Sequence, residues 1–267
     1  CEMLKDRGIT NLAGVGKLKM DTAEFVKKNR SHHAIILAKN NVGRVNLYKL
    51  ISMSHLFYMR RGKPCVPKSL LIKNREGLIL GSACEAGELY DELLHGANEA
   101  EIARLVDFYD YLEIQPVGNN MFMILSDKHE NINSVEDIQD VNRRIVELGE
   151  VFNKPVVATC DVHFLDPEDE IYRRILMAGE GFKDADNQAP LYLHTTEEML
   201  KEFSYLGYEK AKEIVIKNPN RIADMCDKIS PVRPDKCPPV IEDSDKLLRD
   251  ICYNKAHEMY GDPLPEI

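Results

Sequence analysis

The sequence predicts an α/β fold in which short strands and longer helices alternate along the chain. Four apolar runs, near residues 34–39, 77–82, 109–115 and 155–161, have the length and β-branched content of buried strands. Between these runs, apolar residues recur every three or four positions, as they do in helices. Connections of a dozen or more residues between strands predict parallel strands covered by helices. Four strands do not close a barrel, so we expect a partial β/α barrel.

The clearest helix prediction covers residues 135–152. Ser134 and Asp137 form a capping pattern at its start, and apolar residues recur every three or four positions behind them. Other helices are predicted at residues 42–56, 99–108, 208–216 and 245–260. Beyond residue 180 the pattern contains helices without strands, which indicates a helical C-terminal extension.

The most informative stretch follows the fourth strand. Asp161 and His163 stand two residues apart, so an extended chain would direct a carboxylate and an imidazole to the same side. Asp166 and Pro167 then have the sequence of a helix start. Ligand-type side chains at a strand end, followed by a capped helix, are typical of α/β barrels. A capping aspartate beside a loop histidine is the alternative for so short a motif.

Three more residues have side chains suited to metal binding. Cys84 follows the second strand and precedes a helix whose dipole would favour its thiolate, although a lone cysteine is more often a buried apolar residue. Glu113 alternates with Leu112 and Ile114, so it would face the barrel interior as a ligand or as a partner of one. His33 precedes the first strand, and parallel geometry would not bring it to the same rim.

Composition limits the class of protein. With 267 residues, 44% hydrophobic and 30% charged, the chain has the profile of an ordinary globular protein. Its seven cysteines lack C-x-x-C spacing, which favours a reducing cytoplasm, and no apolar run is long enough to span a membrane. The net charge of −9 argues against a strong nucleic-acid grip. The basic and aromatic segment at residues 57–71 fits either a phosphate contact or a solvated loop.

Six segments together resemble a known family. They read HHAIILAKNNVGRVNLYKL, REGLILGSACEAGELY, YDYLEIQPVGNNMF, KPVVATCDVHFLDPEDEIYRRIL, TTEEMLKEFSYLG and YGDPLPEI. In order and over nearly the whole chain, they resemble the PolC-type DNA polymerase III family of Gram-positive bacteria. The resemblance is to the later part of its polymerase and histidinol phosphatase (PHP) domain, so we expect the chain to be a fragment.

The resemblance implies three regions and one metal site. Residues 1–28 would be the tail of an exonuclease domain, residues 29–230 the second part of a split PHP domain, and residues 231–267 a linker and helix leading to the polymerase core. A PHP domain is a distorted β/α barrel that binds zinc, manganese or iron. The residues that match its ligands are His33, Cys84, Asp161 and His163, and Glu113, placed inside the barrel by strand alternation, would be a partner of these ligands.

The same resemblance implies a cytoplasmic parent enzyme, a DNA-directed DNA polymerase with 3′–5′ exonuclease activity, magnesium as polymerase cofactor, and DNA and replisome subunits as partners. The catalytic carboxylates of both activities would lie outside this chain. Two other functions are compatible with these residues. The metals could brace a structural platform without catalysis, or the chain could be a free-standing PHP phosphoesterase.

Overall fold

A computed structural model describes residues 30–126, 129–232 and 234–266. The segment predicted to be an exonuclease tail, residues 1–28, lies outside the described residues. The chain forms two compact units that divide between Ile229 and Ser230.

The first unit contains the predicted strands and most of the predicted helices. Its strands are β1 Ile35–Ala38, β2 Met59–Arg60, β3 Lys63–Pro64, β4 Leu78–Gly81, β5 Leu112–Ile114 and β6 Val156–Ala158. Its α-helices are α1 Asn41–Phe57, α2 Lys68–Lys73, α3 Glu88–Leu94, α4 Glu99–Phe108, α5 Val117–Asn120, α6 Val135–Val151, α7 Glu170–Gly179, α8 Thr196–Glu202, α9 Tyr208–Lys212 and α10 Asn218–Asp224. Helix α9 continues as a π-helical turn, Glu213–Lys217, before α10. The four strand positions are confirmed.

Strand direction differs from the prediction in one pair. Strand β1 is antiparallel to β4, with Ile35 opposite Gly81, so the expectation of parallel strands throughout was wrong. Strands β5 and β6 are parallel as expected. A parallel bridge between Gly81 and Tyr111 joins the two pairs at their adjoining edges. The described strands do not form a closed barrel.

The crossover from β1 to β4 explains the reversed direction. It contains two helices, α1 and α2, and the β2–β3 hairpin, whereas a parallel crossover usually contains one helix. A second helix in the connection lets the chain enter the next strand from the opposite end. Gly43 in α1 lies directly against Gly77, the residue before β4. This contact fixes the position of α1 against β4, because a Cβ on Gly43 would overlap the Gly77 carbonyl oxygen.

Strands β4, β5 and β6 are buried on both faces. Leu80, Leu112 and Ile114 belong to the main core with Ile138 and Ile145 of helix α6. On the opposite face, a smaller cluster contains Ile79, Tyr111 and Val157 together with Ile222 of helix α10. Burial on both faces accounts for the unbroken apolar runs in the sequence.

Side-chain amides connect the parallel pair to its covering helices. Asn142 of α6 donates to the Gln115 carbonyl at 3.2 Å, and Asn218 of α10 donates to the Val156 carbonyl at 2.8 Å. Both asparagines are buried. They satisfy backbone acceptors that the short strands leave unpaired.

The helix starts follow the sequence prediction. Ser134 and Asp137 form a capping box at α6, and Asp166 with Asp169 forms one at a short 3₁₀ turn, Pro167–Asp169, that leads into α7. In the second unit, helix α11 spans Ser244–Tyr260 and has no buried residue. Among the described residues, no helix is long and apolar enough to cross a membrane.

Candidate metal centre

The antiparallel direction of β1 places His33 at the same edge of the sheet as Cys84. The N-terminal end of β1 lies beside the C-terminal end of β4, because Ile35 pairs with Gly81. The backbone of His33 continues this contact, since its N–H donates to the Ala86 carbonyl at 2.9 Å. As a result, the Cys84 Sγ and the His33 Nδ1 are 3.4 Å apart.

A tight loop between β4 and α3 orients the thiol. Ala83 has a φ of 61°, a left-handed conformation that non-glycine residues rarely adopt. Gly87 closes the loop by donating to the Cys84 carbonyl at 2.8 Å, and a Cβ at Gly87 would overlap the Ser82 carbonyl oxygen. Strained backbone of this kind is concentrated at functional sites in proteins.

Burial favours the protonated form of the Cys84 thiol. Burial, with the nearby Glu85 carboxylate adding to it, raises the pKa of Cys84 to about 12, and Asp161 makes a smaller contribution in the same direction. The expectation that a helix dipole favours the thiolate was therefore wrong, because α3 begins only at Glu88 and burial dominates. The Asp161 carboxylate is therefore near enough to the Cys84 thiol to act on its pKa.

Asp161 and His163 form a second pair. The His163 Nδ1 lies 2.8 Å from the Asp161 carbonyl oxygen and 4.0 Å from the Asp161 Oδ1. Strand β6 ends at Ala158, and Asp161 has a left-handed φ of 54°. The extended chain predicted for Asp161 and His163 ends before these two residues. A turn, and not the alternation of side chains along a strand, therefore brings them together.

Hydrogen bonding of His163 favours one tautomer. When Nδ1 donates to the Asp161 carbonyl, the Nε2 lone pair is available to a metal ion. Backbone carbonyls commonly orient metal-binding histidines in this way. The pair is exposed, and it therefore combines an accessible imidazole with a carboxylate.

Glu113, the middle residue of strand β5, is buried. Its Oε1 accepts a hydrogen bond from the Thr159 hydroxyl at 2.7 Å. Burial raises the pKa of Glu113, Asp161 raises it further, and the Thr159 hydrogen bond opposes both effects. Glu113 thus lies close to Asp161 in a position to orient the residues that follow β6.

A cavity of about 400 Å³ adjoins Asp161, and its lining includes His194, which the sequence analysis missed. His194 is buried, its ring stacks on Tyr192 at a centroid distance of 4.0 Å, and its Nδ1 lies 2.9 Å from the Tyr192 carbonyl oxygen. This arrangement matches that of His163 two residues after Asp161. A histidine directly before the Thr195 helix cap was the only signal in the sequence, and by itself it did not indicate a site.

The structure brings the predicted residues into two neighbouring pairs. In the part of the chain that is described, no three His, Cys, Asp or Glu side chains stand in an arrangement that could hold a metal ion. The two pairs are thus adjacent but not joined into one ligand set. The assignment of all four residues to a metal centre stays a prediction.

Comparison with known proteins identifies the family. A PHP domain model matches residues 3–116. PolC-type DNA polymerase III of Clostridium perfringens is 52% identical over 91% of this chain, and that of Caldanaerobacter subterraneus is 52% identical over 100% of it. The chain corresponds to one region of the PolC-type DNA polymerase III family. The PolC-type enzyme of Bacillus subtilis is 40% identical over 100% of the chain, and the resemblance read from the sequence is confirmed.

The chain spans only 16% to 19% of the length of these PolC-type relatives. The PHP match contains His33, Cys84 and Glu113, whereas Asp161 and His163 lie beyond its last residue. The predicted limits of the exonuclease tail, the PHP part and the polymerase linker stay predictions.

Proposed function

We propose that this chain is the later part of a metal-binding PHP domain, a partial β/α barrel, within a PolC-type replicative DNA polymerase. The family relationship and the approach of His33 to Cys84 support the proposal. DNA-directed polymerisation, with magnesium, and 3′–5′ exonuclease activity would be performed by other parts of the same cytoplasmic polypeptide. Its partners would be DNA and other replisome subunits.

The chemistry of the donor set fits a divalent metal of the zinc, manganese or iron type. A thiol, two imidazoles and a carboxylate are the side chains that zinc prefers. Two ligands of one tetrahedral zinc, a sulfur and a nitrogen, lie about 3.5 Å apart. The 3.4 Å between the Cys84 Sγ and the His33 Nδ1 is close to that spacing without any rearrangement.

Each residue has a distinct task in this proposal. His33 and Cys84 would bind one side of the metal centre, Asp161 and His163 the other, and Glu113 would orient the turn through Thr159. When bound, the metal ion would polarise a phosphoester and activate water. Because burial favours the protonated Cys84 thiol, metal binding must release its proton, so affinity should fall as pH falls.

The experiment measures zinc, manganese and iron in the intact polypeptide and in three variants. Cys84→Ser and His163→Ala remove proposed ligands, while Cys65→Ser removes a similar half-buried thiol outside the site. Removing a ligand should weaken metal binding more than about 100-fold, because even partners of ligands contribute tenfold to hundredfold. Wild-type-like metal content in both ligand variants would refute the proposed site.

A phosphatase assay on the same proteins separates a catalytic site from a structural one. Hydrolysis of a phosphomonoester that His163→Ala abolishes would indicate a catalytic centre. Bound metal without turnover would show that the metals brace a platform for the polymerase. Template-directed DNA synthesis by the intact polypeptide tests the parent activity separately, and its absence would refute the polymerase assignment.

A further inference from the structure

The charge of the chain is distributed very unevenly. Between Phe25 and Arg75 there are 12 of the 35 lysines and arginines and none of the 44 acidic residues. The net charge of −9 does not reveal this basic segment, because acidic residues in the rest of the chain outnumber its lysines and arginines. Charge asymmetry of this kind indicates interaction with an anionic partner.

Acidic residues from other segments neutralise only part of this charge. Arg30 pairs with Asp91 at 2.7 Å, Arg75 pairs with Asp110 at 3.0 Å, and Lys68 pairs with Glu88. Six further cations of the segment have no ion pair with any residue that the structure describes: Lys39, Arg44, Lys49, Arg61, Lys63 and Lys73. The segment therefore presents uncompensated positive charge.

The β2–β3 hairpin directs two of these cations into solvent. Met59 pairs with Pro64 and Arg60 with Lys63, so Arg61 and Gly62 form a two-residue turn. Their φ values of 47° and 79° are those of the tight hairpin turn that matches strand twist. Arg61 and Lys63 are exposed on this short, defined element, which packs against helix α1.

An exposed aromatic ring accompanies the charges. Phe57, the last residue of α1, is 58% exposed and lies two residues before the hairpin. Cations beside an accessible aromatic ring are the combination that binds nucleic acid, with phosphates contacting the cations and bases stacking on the ring. We call Phe57, Arg61 and Lys63 the basic hairpin face.

We propose that the basic hairpin face binds the phosphodiester backbone of DNA. The inference rests on the proposed function in one respect, because relatives named as DNA polymerases make DNA the polyanion that this surface would meet. The acidic remainder of the chain repels DNA, so contact would be confined to this face. The net charge of the chain predicts no strong binding of nucleic acid. A contact with only a few phosphates agrees with this, because such binding is weak and sensitive to salt.

The test compares two double variants of the intact polypeptide. Arg61→Asn/Lys63→Gln removes both exposed cations, and asparagine suits the left-handed turn position. Lys201→Gln/Lys217→Gln removes two exposed lysines elsewhere and changes net charge equally. Dissociation constants for a fluorescent duplex and for a single strand are measured from 50 to 300 mM salt.

Loss of two phosphate contacts should lower the salt-dependence slope by about 1.8 for duplex DNA and by about 1.4 for a single strand. At 0.1 M salt the hairpin variant should bind the preferred form roughly 25-fold to 60-fold more weakly than the control variant. The DNA form, duplex or single strand, whose salt-dependence slope changes in the hairpin variant is the form that the basic hairpin face binds. Phe57→Ala should weaken single-strand binding alone if bases stack on the ring.

Equal slopes and affinities in the two double variants would overturn the inference. So would unchanged DNA binding combined with lost binding to phosphatidylserine vesicles, because the partner would then be a membrane. Primer extension is measured on the same preparations. DNA synthesis with no difference in slope refutes the hairpin contact alone, whereas absent synthesis refutes the proposed parent function.

Discussion

The two strand pairs of the first unit present their polar residues in different ways. In the antiparallel pair, β1 and β4, two residues 51 positions apart in the sequence come within 3.4 Å, because one strand begins where the other ends. In the parallel pair, β5 and β6, the ligand-type residues Asp161 and His163 are sequence neighbours brought together by a turn. The first pair depends on strand direction and the second on local backbone conformation.

The means of attachment to the helices also differ. The antiparallel pair approaches helix α1 through the contact of Gly43 with Gly77, where no side chain fits. The parallel pair is connected through the buried amides of Asn142 and Asn218. Backbone packing therefore positions His33 and Cys84, while hydrogen bonds position the end of β6.

The largest effect that distinguishes the two pairs is expected from Gly43→Ala. The new methyl group would overlap the Gly77 carbonyl oxygen, so the helix must move away from β4. Overpacking of this kind against backbone should lower the free energy of unfolding by about 3 kcal/mol. Gly179→Ala, at an open helix position, is the control and should change it by less than about 0.5 kcal/mol. Denaturant unfolding measures both, and equal stability of the two variants would disprove the glycine contact.

A smaller effect should follow from Asn218→Ala in the parallel pair. Without the amide, the buried Val156 carbonyl loses a donor at 2.8 Å, which should cost about 1 to 2 kcal/mol. Asn220→Ala removes an exposed amide two positions away and should change stability by less than about 0.5 kcal/mol. If both variants unfold at the same denaturant concentration, the parallel pair does not depend on this hydrogen bond.

The smallest effect concerns Glu113 and depends on pH. Its folded-state pKa is raised, chiefly by burial, so its favourable contribution to stability is present below its ordinary pKa and is lost as pH rises through the folded value. The glutamine in the Glu113→Gln variant stays neutral at every pH. The free energy of unfolding of this variant, relative to that of the wild-type chain, should therefore be greater at pH 7 than at pH 4. Thermal unfolding at both pH values measures this difference. Glu209→Gln, at an exposed position, should show no such pH dependence, and the same absence for Glu113→Gln would contradict the burial effect.

Much of the fold was predictable because local patterns carry the information. The strand positions, the Ser134 cap and helix α4 at residues 99–108 follow from apolar periodicity and capping residues. The direction of β1 was not predictable in this way, because a long crossover permits either direction until its helices pack. His194 was missed for a similar reason, since its proximity to Asp161 across a cavity depends on chain segments 33 residues apart.

The sequence by itself determined the elements, their order, the family and the residues with metal-binding chemistry, because each of these depends on residue type and short-range spacing. Only the tertiary structure decided that His33 reaches Cys84, that burial keeps the thiol neutral, and that Asp161 adopts a turn. Those properties depend on strand direction and on burial by distant residues. Distances between segments far apart in the sequence are fixed by packing, which no local pattern specifies.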